Sequence, residues 1–152
     1  MSRVEDLLEI LKSHGLRITQ ARQGVVAVLI VNEDSPLTPE EIYQSIVSSK
    51  EFKCDQASVY RTLTSFEELG IVKKSIFQGE AARYSLCGCA EHGEDHGHHH
   101  HHHEHYFKCN KCNKIEPLDG CFLSSKEEEM KKDGYTGLKH HIEITGICPK
   151  CS

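Results

Sequence analysis

The sequence predicts an α+β chain in two parts, an N-terminal winged-helix DNA-binding domain and a small C-terminal α/β dimerisation domain closed by a four-cysteine zinc site. Two observations predict it. Several stretches of helical periodicity are followed by a pair of short alternating segments, and two Cys-x-x-Cys turns, Cys109-Asn-Lys-Cys112 and Cys148-Pro-Lys-Cys151, are separated by residues 113 to 147. That spacing lets two thiolates chelate one tetrahedral ion from a tight turn. Two such turns complete an all-sulfur site that ties the last strand back onto an earlier hairpin. The competing readings are two disulfides or a thioredoxin-like redox pair. No secretory signal is present and neither pair opens a helix after a buried strand, so structural zinc is the stronger expectation.

At 152 residues the chain holds one ordinary domain or two small ones, and small ones need a supplement to a thin core. Eight cysteines without a signal peptide or a long apolar run point to a reducing cytosol, and no segment suits a membrane span. The formal net charge is −5, with the acidic excess spread over both halves. This argues against a strongly basic nucleic-acid binder, so any DNA affinity must come from local placement of Arg and Lys, from a dimer, or from bound metal.

Val4, Leu7, Leu8 and Leu11 recur at helical spacing before Gly15. Thr19 suits the N-cap of a second helix through Val25, Val26, Val28, Leu29 and Ile30, and Asn32 to Leu37 reads as a loop. Thr38-Pro39-Glu40-Glu41 supplies cap, N1 proline and N3 glutamate for a third helix. Asp55 caps a fourth, with Val59, Leu63, Phe66 and Leu69 as its buried stripe. Ile71 to Phe77 and Ala82 to Leu86 then alternate about Gln78-Gly79-Glu80 as a hairpin. In this winged-helix layout the last helix before the wing enters the major groove.

Ser58, Tyr60, Arg61 and Thr64 project off the buried stripe of that helix. A solvated surface is the plain alternative, but Tyr60 offers a ring to thymine methyls and Arg61 a fork to guanine or phosphate. Arg17, Arg22, Lys73 and Lys74 are candidates for phosphate contacts, each of them otherwise an ordinary surface charge.

The domains read as 1–86 and 106–152, joined by a Cys/His-rich hinge over 87–105. The hinge carries Cys87, Cys89, Glu91, His92, Glu94, Asp95 and His96 before the run His98 to His103, then Glu104 and His105. An internal run flanked by ligand-type residues differs from a terminal affinity tag, although a histidine-rich loop that buffers metal loosely fits some of it. Beyond it, Tyr106 to Lys108 leads into the first cysteine turn and Lys114 to Leu118 returns from it. Residues 121 to 134 suit a helix with Glu127, Glu128, Glu129, Lys131 and Lys132 on its surface. His141 to Thr145 alternates as a strand ending at the second turn. A sheet this small leaves an edge that a second copy would cover.

The order of these parts resembles the Fur family of metal-responsive bacterial repressors over nearly the whole length. The best-matching pieces are Gly15-Leu-Arg-Ile-Thr-Gln-Ala-Arg22, Ala57-Ser-Val-Tyr-Arg-Thr-Leu63, the His run before Cys109, and His140-His-Ile-Glu-Ile-Thr-Gly146 before Cys148. The resemblance implies a homodimer that reads a palindromic double-stranded operator with the helix carrying Tyr60 and Arg61. It also implies a structural zinc on the four cysteines, and a second metal near the hinge that sets the angle between domains.

Iron- and peroxide-sensing members usually carry a carboxylate after the aromatic residue of the second wing strand, where this chain has Ser85 after Tyr84. Zinc-sensing members often have a cysteine three residues after that aromatic, the place of Cys87 here, and Pro36 stands near the place of a family histidine before helix 3. A thiolate with imidazoles suits Zn2+ better than a hard oxygen set. The chain is therefore most similar to the zinc uptake regulators, which repress zinc-uptake genes when zinc suffices. Family histidines three and five residues before the first cysteine are replaced by Tyr106 and Glu104, while His103 and His105 stand six and four before it. Either the register shifts by one, or these two serve a neighbouring site with His140, for which Cys121 is a soft substitute near Ser124, the place of the family's carboxylate. The sensing set expected from the sequence is Cys87, His103 and His105, with Cys89 or His92 as fourth ligand. Cys54 reads as an unreactive thiol.

Two further classes are open to the sequence. A histidine-rich zinc store or chaperone would bind several ions weakly and no specific DNA. A zinc enzyme needs an open coordination position and a general base, and the sequence offers no signature of one. Within the family, an iron or peroxide sensor is the rival.

Overall fold

The computed structural model describes residues 2–87, 105–138, 140 and 142–152. The chain forms two compact units, Met1–Asp95 and His96–Ser152. Among the described residues, no helix is long and apolar enough to cross a membrane.

In the first unit each helix begins where a side chain satisfies its orphan N–H groups. Ser2 and Glu5 form a capping box on α1 (Arg3–Ser13), and Thr19 caps α2 (Gln20–Val31). Thr38 and Glu41 repeat the box on α3 (Pro39–Ser49), with Pro39 at the first position, and Asp55 caps α4 (Gln56–Glu68). The Ser58 N–H donates to the Asp55 carboxylate at 2.7 Å and holds that carboxyl below its usual range. Leu7 and Leu11 of α1, Val25, Val26 and Leu29 of α2, Ile42 and Ile46 of α3, and Val59, Leu63 and Phe66 of α4 meet in one buried cluster. These are the residues whose spacing marks the four helices in the sequence.

The wing pairs β1 (Val72–Ser75) antiparallel with β2 (Arg83–Leu86), in a register that sets Val72 opposite Leu86 and Lys74 opposite Tyr84. Both strands are shorter than the alternation predicts, because Ile76 to Ala82 open into the turn around Gly79, which sits at φ +78°. Leu37, expected in a loop, exchanges both backbone hydrogen bonds with Tyr84, at 3.0 and 2.7 Å. A bridge of a single residue has no periodicity to read.

The second unit contains β3 (His105–Cys109), β4 (Ile115–Leu118), α5 (Ser124–Lys132) and β5 (Glu143–Gly146). The sheet order is β4-β3-β5, with β4 antiparallel and β5 parallel to the central strand. Its helix starts three residues later than the sequence predicts. Leu123 at the cap position supplies no side-chain hydrogen bond, so Cys121 to Leu123 turn instead, with the Ser124 hydroxyl donating to the Cys121 carbonyl at 2.7 Å. No residue of α5 is buried.

Gly24 lets α2 pass close to α3. A Cβ there would lie 3.1–3.2 Å from the Ile46 side chain, closer than ordinary van der Waals contact. Gly24→Leu should therefore force α2 off α3 and lower the stability of the first unit by about 1–3 kcal/mol. Urea unfolding reads the loss, and Ile46→Ala in the same chain should recover part of it. An additive double variant would mean that the crossing is not the cause.

Candidate metal centres and nucleic-acid face

The first cysteine turn closes the β3–β4 hairpin. Asn113 takes the left-handed conformation, at φ +60°, its N–H donates to the Cys109 carbonyl at 2.9 Å, and the Cys109 N–H returns a bond to Lys114 at 2.9 Å. The second turn follows β5, where the Cys151 N–H donates to the Cys148 carbonyl at 2.9 Å. The Asn110 N–H reaches the Gly146 carbonyl at 2.7 Å and holds the two turns together. All four sulfurs lie within 4.8 Å of one another.

The spacing of the cluster fits a tetrahedral ion. Cys112 Sγ and Cys148 Sγ are 3.8 Å apart, far beyond a disulfide, and two thiolates bonded at about 2.3 Å to one tetrahedral ion stand about 3.8 Å apart. Their protonation also asks for a cation. The backbone N–H groups of Cys112, Cys148 and Lys111 point at Cys109 Sγ and pull its thiol down to about 6. Hydrogen bonding with the Cys148 and Cys112 thiols, helped by burial, pushes Cys151 up to about 12. The ring of donors favours the first thiolate, and each further negative charge must be offset by a positive one at the centre.

A second cluster lies in the same unit. His105 opens β3 and is buried, Cys121 sits in the turn before α5, and His140 precedes β5. His140 Nε2 is 3.4 Å from Cys121 Sγ and 3.2 Å from His105 Nε2. Around a tetrahedral ion with bonds of about 2.3 Å to sulfur and about 2.0–2.1 Å to nitrogen, these separations are about 3.6 and 3.3 Å. The three donors therefore already stand near coordination distance. On the far side of the ring, His140 Nδ1 is hydrogen-bonded to Glu127 Oε1. Glu127 is not a surface charge, as the sequence suggests. Its side chain is 16% exposed, whereas the adjoining Glu128 and Glu129 face solvent. One more turn of helix before α5 would have carried Cys121 on a different path; the late start leaves it facing His140.

The sequence-predicted hinge residues fall on both units and partly outside the described residues. His105 belongs to the second unit and is grouped with His140 and Cys121, the neighbouring-site alternative. Cys87 follows β2 in the first unit, half-buried, with its N–H donating to the Ile71 carbonyl at 2.8 Å. Cys89, His92 and His103 lie outside the described residues. Cys54 is half-buried, and burial pushes its thiol up, as suits an unreactive side chain.

In the first unit an open groove of about 780 Å³ runs between the start of α2 and the exposed face of α4, lined by Arg17, Arg22, Lys53, Ser58 and Arg61 among others. The Arg22 guanidinium donates to the Arg17 carbonyl, and Arg61 Nη2 to the Ser58 hydroxyl at 3.3 Å. Tyr60 is 50% exposed, and the Thr64 hydroxyl donates back to its carbonyl at 3.0 Å. The Gln20 side-chain oxygen accepts from the Lys53 N–H at 2.8 Å and so ties the entry of α4 to α2. Sequence periodicity gave no sign of that tie, since it spans distant positions through one side chain. Lys74 lies over the Tyr84 ring, 6.0 Å from its centroid.

Among the described residues the buried apolar side chains of the second unit are few, and the connected hydrophobic core lies in the first unit, so the sulfur cluster is the natural closure of the second. Metal binding of about 10–16 kcal/mol, the scale of structural zinc in finger peptides, is then folding energy. Cys148→Ser should abolish amide-exchange protection in β3 and β5 and leave α2 to α4 protected. Retained protection in β3 and β5 would show that the ion is dispensable.

The sequence profile described as the ferric uptake regulator family matches residues 13–145. The ferric uptake regulation protein of Bacillus subtilis (strain 168) is 30% identical over 152 residues, spanning 99% of this chain and 95% of that one. The peroxide-responsive repressor PerR of Staphylococcus saprophyticus is 30% identical over 149 residues, 97% of this chain and 90% of that one. The solved structure of the Helicobacter pylori ferric uptake regulator Fur, described as revealing three functional metal binding sites, aligns with a TM-score of 0.70 at 24% identity, covering 99% of this chain and 94% of that one. That likeness speaks for the fold, and the match across nearly the full length speaks for descent: the chain belongs to the ferric uptake regulator family of metal-responsive regulators.

Proposed function

We propose that this chain is a zinc-sensing transcriptional repressor of the zinc uptake regulator type, acting in the bacterial cytoplasm as a homodimer on a palindromic operator that controls zinc-uptake genes. It carries a structural Zn2+ on Cys109, Cys112, Cys148 and Cys151 and a regulatory Zn2+ at a second site. The observation that carries the reading is the grouping of one thiol with two imidazoles, Cys121 with His105 and His140. A sulfur–nitrogen set favours zinc over the harder Mn2+, which prefers oxygen ligands and higher coordination numbers. Cys87 stays a proposed ligand on its sequence position, with Cys89, His92 and His103 as further candidates. Ser85, in place of a carboxylate, is buried and offers no anionic oxygen.

DNA contacts are proposed for Tyr60 and Arg61 in the major groove, with Ser58 and Thr64 beside them and Arg17 and Arg22 on phosphates. Zinc and DNA are linked: if zinc favours the DNA-competent form, operator DNA tightens zinc by the same factor. The relatives named for ferric and peroxide response favour an iron-responsive reading as the rival.

Anisotropy of operator fragments under buffered free metal separates the two. Zinc is expected to raise affinity by about 5–150-fold at constant occupancy of the four-cysteine site; a switch driven by Fe2+ or Mn2+ where zinc is silent would overturn the zinc reading. Cys121→Ala and Cys87→Ser each test one ligand. Loss of the zinc response with the four-cysteine site still filled supports that ligand, and an unchanged response removes it. Arg61→Ala should weaken operator binding by about 1–3 kcal/mol and leave zinc affinity in the absence of DNA untouched.

A further inference from the structure

The histidine at the heart of the second cluster is held from behind. His140 presents Nε2 toward Cys121 Sγ and His105 Nε2, while Nδ1 is bonded to Glu127 Oε1. A carboxylate only accepts hydrogen bonds, so Nδ1 must carry the proton, and in a neutral ring Nε2 is then left with its lone pair. That lone pair points at the space between a thiol and a second imidazole nitrogen. The arrangement is the first half of a carboxylate–histidine–metal relay, in which the outer carboxylate fixes the tautomer and makes the inner nitrogen a better donor. The positioning is built into the helix. Glu127 lies in the first turn of α5, its N–H bonded to the Leu123 carbonyl at 3.0 Å, and both its side chain (16% exposed) and that of His140 (11% exposed) are shielded from solvent. Lys126, beside it, is engaged with Glu129 at 3.0 Å.

We propose that Glu127 is a positioning residue of the His105–Cys121–His140 site, locking His140 in the Nδ1–H tautomer so that Nε2 is preset as a ligand for a borderline-soft divalent ion. The proposal rests on the reading of those three residues as a metal site. It adds that Glu127 acts through His140 and does not itself bind the ion.

The test uses the full chain with its four-cysteine site loaded with zinc, and Co2+ as the probe of the second site. Co2+ bound to one sulfur and two nitrogens gives visible d–d bands and a sulfur-to-cobalt charge-transfer band. Affinity follows from competition with a chelator. Glu127→Ala should weaken Co2+ binding by about 10–100-fold with band positions unchanged, and Glu127→Gln, which keeps an acceptor oxygen but no charge, by less. In the chain without metal at this site, ¹⁵N shifts of His140 should report one Nδ1–H tautomer, becoming a mixture in Glu127→Ala. Unchanged affinity and an unchanged tautomer in both variants would overturn the positioning role. Altered band positions would overturn it differently, by making Glu127 a ligand. His140→Ala separates this failure from that of the site: wild-type Co2+ binding in that variant would mean that the three residues are no metal centre at all.

Discussion

The 3.8 Å approach of Cys112 to Cys148 is the constraint on which the second unit turns. It joins a hairpin turn to a chain end across a long span of sequence, and the parallel pairing of β5 with β3 is geometrically bound to it. Parallel neighbours need a crossover, here supplied by α5, which buries none of its own residues. A crossover helix without a buried face gives the sheet little apolar reason to close. The sulfur cluster supplies what that helix does not, and the same closure carries His140 toward His105. The two cysteine and histidine clusters of this unit are therefore coupled through one sheet. The register that sets Glu143 beside Tyr106 also brings the residues just before β5 toward the start of β3, so an ion held by the four cysteines would brace both.

The first unit solves the same problem by other means. Four capped helices contribute ten aliphatic and aromatic side chains to one cluster, and the close approach at Gly24 lets α2 pass near α3. What remains exposed on α4 is the polar face, held in place by its own hydrogen bonds, with Arg61 bonded to Ser58 and Thr64 to the Tyr60 carbonyl. Arg83 of the wing is committed to Glu41 at 2.9 Å and to the Pro36 carbonyl at 3.3 Å, so it braces β2 against the start of α3 and is not a spare cation for phosphate. The net acidity of the chain thus coexists with a locally basic groove, because Arg17, Arg22, Lys53 and Arg61 line it against a single acid, Asp55, the cap of α4.

Much of this was legible in the residues. Caps at Thr19, Thr38 and Asp55, apolar spacing in the helices, and the paired cysteine turns are local signals, each decided within a few positions. The features misread or passed over are those decided by partners far away in sequence. Leu37 joins the wing only because Tyr84 meets it, Gln20 matters only because Lys53 needs an acceptor, and Glu127 looks like its charged neighbours until His140 is placed behind it. The start of α5 belongs to the same class. Helical periodicity runs back through residues 121 to 123, but without a capping side chain the turn wins. The candidate ligands were nonetheless named by residue type, and His140 and Cys121 stood as the neighbouring-site alternative for His105.

That alternative has a consequence in charge. A thiolate at Cys121 and a carboxylate at Glu127 carry two negative charges into a part-buried space, and two neutral imidazoles add none. A divalent cation there would make the sum zero. An ion bound there would take Cys121 as a thiolate, the ligand form of the side chain. A site built on oxygen alone would offer the same charge to Mn2+ or Mg2+ as readily as to zinc. A sulfur donor, by its softness, would favour zinc over them.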